Sequence, residues 1–232
     1  YVMTTLEELG LLKMDFLGLR NLTVLDDAVK MVQRREPDFH LQNIPMDDPA
    51  VFEMLSQGKT NGVFQMESTG MTGVCTGLRP QSIEDITAII ALYRPGPMES
   101  IPKFIACKHD PKLVSYKHPS LVPILSGTYG CAARGIPEPV AESIFDEIYD
   151  FANYAFNKAH AVSYAVVAYQ TAYFKCHYTK EYMAALLTSV LDNSDKVAGY
   201  IAECRECGIA LLPPDVNRSY DGFTVESGGI RF

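Results

Sequence analysis

Asp15 is a carboxylate inside an apolar run, Leu9 to Leu19 (LGLLKMDFLGL). Burying a charge in such a run is costly unless the charge is paired or holds a cation. If the run is a strand bounded by Gly10 and Gly18, side chains alternate along it, so Lys13 and Asp15 share one face while Met14 and Phe16 take the other. Two chemistries fit. Lys13 can neutralise Asp15 as a structural ion pair, or Asp15 can bind a divalent cation while Lys13 holds a phosphate oxygen. Two-metal phosphoryl transfer needs clustered carboxylates, and one aspartate is at most a part of such a set.

Three other places carry chemistry. Arg94 stands at a helix end, displayed by the turn Arg94-Pro95-Gly96-Pro97; it suits either the C-terminal dipole of that helix or a phosphate contact through its guanidinium fork. The segment Asn153 to His160 (NYAFNKAH) places an aromatic ring, a cation and an imidazole at a helix start. Lys158 and His160 suit a triphosphate and a sugar, and Tyr154 suits stacking on a base. The alternative is an ordinary interhelical turn with Tyr154 in the core, and Phe156 reads as core in either case. Gln65 and Ser68 lie in Gly62–Ser68 (GVFQMES), which reads as a short apolar strand leading into the glycine-rich turn TGMTG. That turn reads as structural; a backbone cradle for phosphate is its alternative.

The elements that must position these groups follow from periodicity and punctuation. A helix is predicted from about Thr23 to Arg35, with Leu22, Leu25, Val29 and Val32 on one stripe. Asp48-Pro49 reads as an N-cap and first-turn pair, and Gly58 closes that helix. Ser82 and Asp85 form a variant capping box before Ile86 to Leu92, and Pro95-Gly96-Pro97 forces a stop at Tyr93-Arg94. The stretch 100–130 reads as loop-rich. Helices are predicted over about 138–152, 160–177, 180–191 and 195–207, the last closed by Gly208. Pro213-Pro214 breaks the pattern, and 222–232 reads as a β-hairpin turning at Gly228-Gly229.

Composition narrows the class. The 232 residues can bury a real core, and 47% hydrophobic with 21% charged residues is ordinary for a globular chain. No apolar stretch is long enough to span a bilayer and no basic-then-apolar leader opens the chain. Tyr1 in place of an initiator methionine reads as a fragment or processed product. The net charge of −8 argues against a broad cationic face for nucleic acid, but not against one small basic pocket. Of the six cysteines only Cys204 and Cys207 form a CxxC, and no second pair or neighbouring histidine completes a zinc set. Reduced thiols are expected. His177 and Tyr178 read as surface and cap residues, and His40, His109 and His118 as surface or loop.

Taken in order, GLLKMDFLGLRNLTVL, GVFQMES, EDITAIIALYRPGPM, YKHPSLVPIL with TYG, FANYAFNKAHAVSYAVVAYQTAYFK and EYMAALLTSVLDN resemble the C-family replicative DNA polymerases. Within them the sequence is similar to the bacterial DNA polymerase III alpha subunits rather than to the Gram-positive form with an inserted exonuclease. The resemblance spans nearly the whole chain and rests on many motifs. It implies a mainly α fold with a small α/β part: helical fingers attached to a remnant of the palm sheet, with 1–36 the C-terminal part of the palm and 37–232 fingers. By the same resemblance Asp15 is a palm ligand for catalytic Mg²⁺ and Lys13 the active-site lysine beside it. His160 senses the sugar 2′ position, Lys158 and Tyr154 line the nucleotide, and Arg94, Gln65 and Ser68 lie near the active site.

The implied chemistry is attack of a primer 3′-hydroxyl on the α-phosphate of a deoxynucleotide. The implied partners are primer-template DNA and deoxynucleoside triphosphates. A sliding clamp and a proofreading exonuclease would bind through regions outside this sequence, in the cytoplasm and without a membrane.

Two departures qualify the resemblance. The family's Pro-Asp-x-Asp-x-Asp-Phe motif is not in the chain. After Thr128-Tyr129-Gly130 the family continues with a Tyr-Gln-Glu-Gln helix and a basic, double-arginine segment, whereas here Cys131-Ala132-Ala133-Arg134 follows at once. A family segment is therefore expected to be missing between 130 and 131, and the chain alone is expected to be inactive. The competing reading is a non-catalytic helical interaction or scaffold module. An unrelated phosphate-handling enzyme would need a clustered base and nucleophile, which the sequence does not show.

Overall fold

The computed structural model describes residues 5–6, 9–11, 18–113 and 158–232. Among these, eight α-helices and a three-stranded sheet are formed, the mainly α fold with a small β part that the sequence implies.

Helix α1, Arg20–Gln33, buries Val24, Leu25, Ala28 and Val32. Its apolar stripe is rotated from the predicted one toward Val24 and Ala28, which leaves Leu22 50% exposed. The partner surface explains the rotation, because α1 packs along α7 and its small Ala28 lets the two approach. The chain before α1 departs further from expectation. Leu9 donates to the Thr5 carbonyl and Leu11 to the Leu6 carbonyl, and Gly10 has φ +79°. Those bonds and that glycine end a helical turn, where a strand start was expected; a left-handed glycine is the common device for it. Positions 12–17 lie outside the described residues.

Helix α2, Pro49–Ser56, begins as predicted: the Asp48 carboxylate accepts from the Ala50 N–H at 2.8 Å, Pro49 fills the first turn, and Gly58 follows at φ +75°. The expected strand at Gly62–Ser68 is instead a run of turns. Val63 and Met66 donate to the carbonyls three residues back, and Gly62 and Gln65 both take positive φ, which folds the segment back on itself. Val63, Phe64 and Met66 are buried by this coil, so the apolar run is core without being extended. TGMTG, expected as a turn, is the first half of helix α3, Thr69–Leu78, capped by the Ser68 side chain, which accepts from the Met71 N–H at 3.3 Å. Glycine weakens a helix by about 1 kcal/mol relative to alanine. Here Gly70 gives room to the Tyr93 hydroxyl, which would lie 1.8 Å from a β-carbon at that position.

Helix α4, Ile83–Leu92, is capped by Ser82, which accepts from the Asp85 N–H at 3.4 Å, while Asp85 accepts from the Gln81 N–H at 2.8 Å. Gly96 at φ +95° completes the stop. The next stretch, expected as loop, contains α5, Ile101–His109. Pro102 sits in its first turn, where a missing N–H costs nothing. Lys108 reaches Asp85 at 2.6 Å and His109 bonds the Gly77 carbonyl at 2.8 Å. His109 is exposed, as expected, and bridges α5 and α3.

The centre of the fold is α6, Lys158–His177, 20 residues long. Ala161, Ala165, Ala168 and Ala172 form a fully buried stripe on it, and α4 lies along α6 as its most extensive neighbour. The opposite duties fall to polar side chains. Thr171 accepts from the Phe64 N–H at 3.0 Å, Tyr169 donates to the Pro45 carbonyl at 2.8 Å, and Lys175 donates to the carbonyls of Lys59 and Asn61 at 3.1 and 2.6 Å. The bonds from Thr171 and Lys175 satisfy backbone groups in the turns at 59–64, and that from Tyr169 satisfies the Pro45 carbonyl before α2.

Helix α7, Thr179–Ser189, is buried from Glu181 to Leu187, as a helix surrounded on all sides must be. Helix α8, Ser194–Glu206, is capped by Asn193 and ended by Gly208 at φ +71°. The hairpin is found within 222–232, as β2, Thr224–Glu226, and β3, Gly229–Arg231, but it turns at Ser227-Gly228, one residue before the expected Gly228-Gly229, and Gly229 pairs with Glu226; β1, Leu211–Leu212, adds parallel to β3. Gly229 has φ +149°, and a β-carbon there would lie 2.1 Å from the Ala210 carbonyl oxygen. Among the described residues no helix is long and apolar enough to cross a membrane.

Candidate functional site

Gln65 and Ser68 open onto one cleft of about 450 Å³, between the start of α1, the turns before α3, the end of α7 and the first half of α8. Arg20 and Lys196 bring positive charge to its wall, Glu67 negative charge, and Tyr200 a phenol. Arg20 is held in place by the Ser189 carbonyl at 2.7 Å and Asp192 at 3.3 Å. Tyr200 donates to Glu67 at 2.7 Å; burial first, and then the Glu67 carboxylate, push its phenol pKa well up, so it stays a neutral donor. The Ser68 hydroxyl is engaged as the α3 cap. Gln65 sits at φ +65°, a left-handed conformation that costs a side-chain-bearing residue about 1–2 kcal/mol. Its neighbours enforce the conformation, since Phe64 is pinned by Thr171 and Met66 by the Val63 carbonyl.

His160 lies in the first turn of α6 and is half-buried. Its ring centroid is 3.9 Å from that of Tyr164, and Tyr164 is 5.2 Å from Phe64. Phe64 precedes Gln65 and also lines the cleft. A row of three rings therefore leads from the α6 terminus to the cleft wall. Arg94 follows α4, as the sequence places it. Its N–H donates to Leu92 at 2.8 Å and its carbonyl accepts from Met98 at 3.1 Å, which sets it in the turn at half-burial. The adjoining Tyr93 touches Gly70 in the first turn of α3. Lys158 opens α6. Lys13, Asp15 and Tyr154 lie outside the described residues, as does the 130–131 junction.

Several polar groups were not foreseen. The pair Lys175–Glu203, at 2.6 Å with side chains 3% and 11% exposed, was visible only as a lysine within an apolar helix, AYFKCHY. His177 bonds Asp48 at 2.8 Å. Tyr178, expected as a surface cap, does hold the N-cap position of α7 but is half-buried. It donates to Glu36 at 2.9 Å under the Arg35 guanidinium, and burial raises its phenol to about 12. Cys204 is buried and Cys207 exposed, and burial raises both thiols, Cys204 to about 12. Among the described residues no group of three or more His, Cys, Asp or Glu side chains is arranged to hold a metal ion.

The model of the bacterial DNA polymerase III alpha subunit finger domain matches residues 21–172, and the chain belongs to that family. Over its whole length it is similar to the DNA polymerase III subunit alpha of Thermus aquaticus, with 43% identity covering 23% of that protein. It is likewise 40% identical to the subunit of Bacillus subtilis, covering 25%, and 38% to that of Borreliella burgdorferi, covering 24%. The chain spans about a quarter of the length of these relatives. The Thermus aquaticus alignment runs over 286 positions against 232 residues here, so that relative carries internal residues this chain lacks.

Proposed function

We propose that this chain is the fingers of a replicative DNA polymerase subunit with an adjoining piece of palm, and that in a complete subunit it takes part in template-directed addition of deoxynucleotides to a primer 3′-end. The observation that carries the reading is the relationship to DNA polymerase III alpha subunits along the whole chain. The cleft containing Gln65, Ser68, Arg20 and Lys196, with His160 joined to its wall through the tilted ring contacts of Tyr164 and Phe64, supports it. In this reading His160 senses the sugar, Lys158 and Tyr154 line the nucleotide, and Arg94 lies on the phosphate side. Asp15 would contribute one carboxylate to magnesium, which when bound neutralises developing charge on the transferring phosphate. Among the described residues no ligand set for that ion is arranged; in this reading its remaining ligands come from the family's Pro-Asp-x-Asp-x-Asp-Phe motif, which the chain lacks. Primer-template DNA, clamp and exonuclease partners and a cytoplasmic location belong to the same proposal.

The chain alone is inactive in this reading, because one aspartate cannot hold two metals and residues present inside the aligned stretch of the Thermus aquaticus relative are absent. That same loss favours, as a second reading, a helical scaffold that has kept polymerase sequence. Primer extension by a complete subunit carrying this segment separates the two. Asp15→Asn abolishes incorporation if the first reading holds. Near-normal extension by a folded Asp15→Asn subunit leaves the scaffold reading standing.

A further inference from the structure

Tyr164 follows His160 by four residues on α6, so both rings fall on one face of the helix. Their centroids are 3.9 Å apart with the planes tilted by 39°. Tyr164 also meets Phe64, at 5.2 Å and 44°. Phe64 is 8% exposed, and its N–H is fixed on the Thr171 hydroxyl, which itself donates to the Ala168 carbonyl at 2.7 Å. The row of rings is therefore anchored in the core at the Phe64 end. Toward the other side it includes the imidazole of His160, on the first turn of a helix. Rotation of an imidazole about its last torsion is soft, so contacts rather than its own rotamer must set the ring plane. An aliphatic residue at 164 could fill similar volume, but would give the imidazole no flat face to lie against.

Resting on the reading of His160 as the sugar sensor, we propose that Tyr164 is a positioning residue. Seated on Phe64, it fixes the plane of the His160 ring, so discrimination between ribose and deoxyribose depends on an aromatic side chain at 164 acting through His160. The hydroxyl is dispensable and the ring is not. The arrangement also ties the sensor to the strained turn at Gln65, because Phe64 is the residue that precedes it.

Two measurements test this. In the chain itself, the His160 ring protons, observed by NMR, carry a ring-current shift from Tyr164. Tyr164→Phe keeps that shift and Tyr164→Leu abolishes it. In a complete subunit, the ratio of kcat/KM for a deoxynucleoside over a ribonucleoside triphosphate stays near wild type in Tyr164→Phe. In Tyr164→Leu it falls, by roughly 2- to 150-fold for the coupling energies of residues in contact. Tyr164→Leu added to His160→Ala gives no further loss, which a purely structural role for Tyr164 would not produce. Should Tyr164→Leu not fold, Phe64→Leu unseats Tyr164 and is read in the same way. Unmoved His160 signals in Tyr164→Leu overturn the proposal, as does wild-type discrimination in that variant where His160→Ala has lost it. If His160→Ala alone leaves discrimination unchanged, the sugar-sensing reading is rejected, and the ring-current result decides by itself whether Tyr164 positions the histidine.

Discussion

The ammonium of Lys175 on α6 lies 2.6 Å from the carboxylate of Glu203 on α8, and the same ammonium donates to the carbonyls of Lys59 and Asn61. One buried cation thus joins two helices to the turns that carry Phe64 and Gln65. Removing one partner of a buried pair leaves the other charge uncompensated and costs about 3–5 kcal/mol. Lys175→Met should fall in that range, because two backbone carbonyls lose their donor as well. Denaturant unfolding followed by circular dichroism reads the loss. A Lys175→Met chain within about 1 kcal/mol of wild type would mean that the turns find other donors.

The same pair sets a pH dependence. Burial pushes the Glu203 carboxyl up, but hydrogen bonding and charge from Lys175, with help from the Asn61 amide, outweigh it and hold the group below its ordinary 4.5. A carboxylate depressed on folding stabilises the fold fully above its unfolded pKa, and that contribution is lost as pH falls through the folded value. Stability should therefore decline below about pH 4.5, more steeply in wild type than in Glu203→Gln. Melting temperatures of both chains from pH 7 to 3 provide the comparison, and parallel curves would reject the assignment.

Thiol chemistry separates the cysteines by burial. Cys75 is fully buried, and burial raises its pKa to about 12, as it does for Cys204. The thiolate is the reactive form. At pH 8 alkylation of the folded chain, mapped by mass spectrometry, should reach exposed Cys207 before either of them. Rapid modification of Cys204 under native conditions would contradict the packing of α8.

Much of the helical framework was legible because its signals are local. Asp48-Pro49, Ser82 and Gly208 act on bonds within a few residues of themselves, and each is found in its predicted role. Gly62–Ser68 was misread because apolar residues in a row fit a strand and a buried coil equally, and what decides between them is distant. Phe64 is held by Thr171, 107 residues away. The pairs Asp85–Lys108 and Lys175–Glu203 escaped for the same reason, since sequence spacing does not say which charges meet across helices. At the candidate site, Gln65 and Ser68 were named on the resemblance. Arg20, Lys196 and Tyr200 were not, because they reach the cleft from other elements by packing alone.

Gly229 tests the sheet. At φ +149°, with the Ala210 carbonyl oxygen 2.1 Å from where a β-carbon would stand, an alanine cannot be accommodated while β1 pairs with β3. Gly229→Ala should cost about 2 kcal/mol or more and raise amide exchange in 211–212 and 229–231. By contrast Gly199→Ala, with nothing within 4 Å of the new carbon and a helical backbone, should be neutral to stabilising. Equal stability of the two variants would refute the strand pairing.

Gln65 offers the sharpest test of whether strain serves function. A left-handed glutamine costs about 1–2 kcal/mol, and glycine would relieve most of it while giving back about 0.5–1 kcal/mol in unfolded-chain entropy. Gln65→Gly should thus raise stability by up to about 1 kcal/mol. If the side chain is there only to fill space, nothing else changes. If the strained turn aims it into the cleft for use, Gln65→Gly and Gln65→Ala should both lower deoxynucleotide incorporation in a complete subunit, although one is stabilised and the other keeps the strain. Two variants of different stability with the same kinetic defect would separate function from folding. Full activity in both would leave the strain as a consequence of burying Phe64 and Met66 on either side of it.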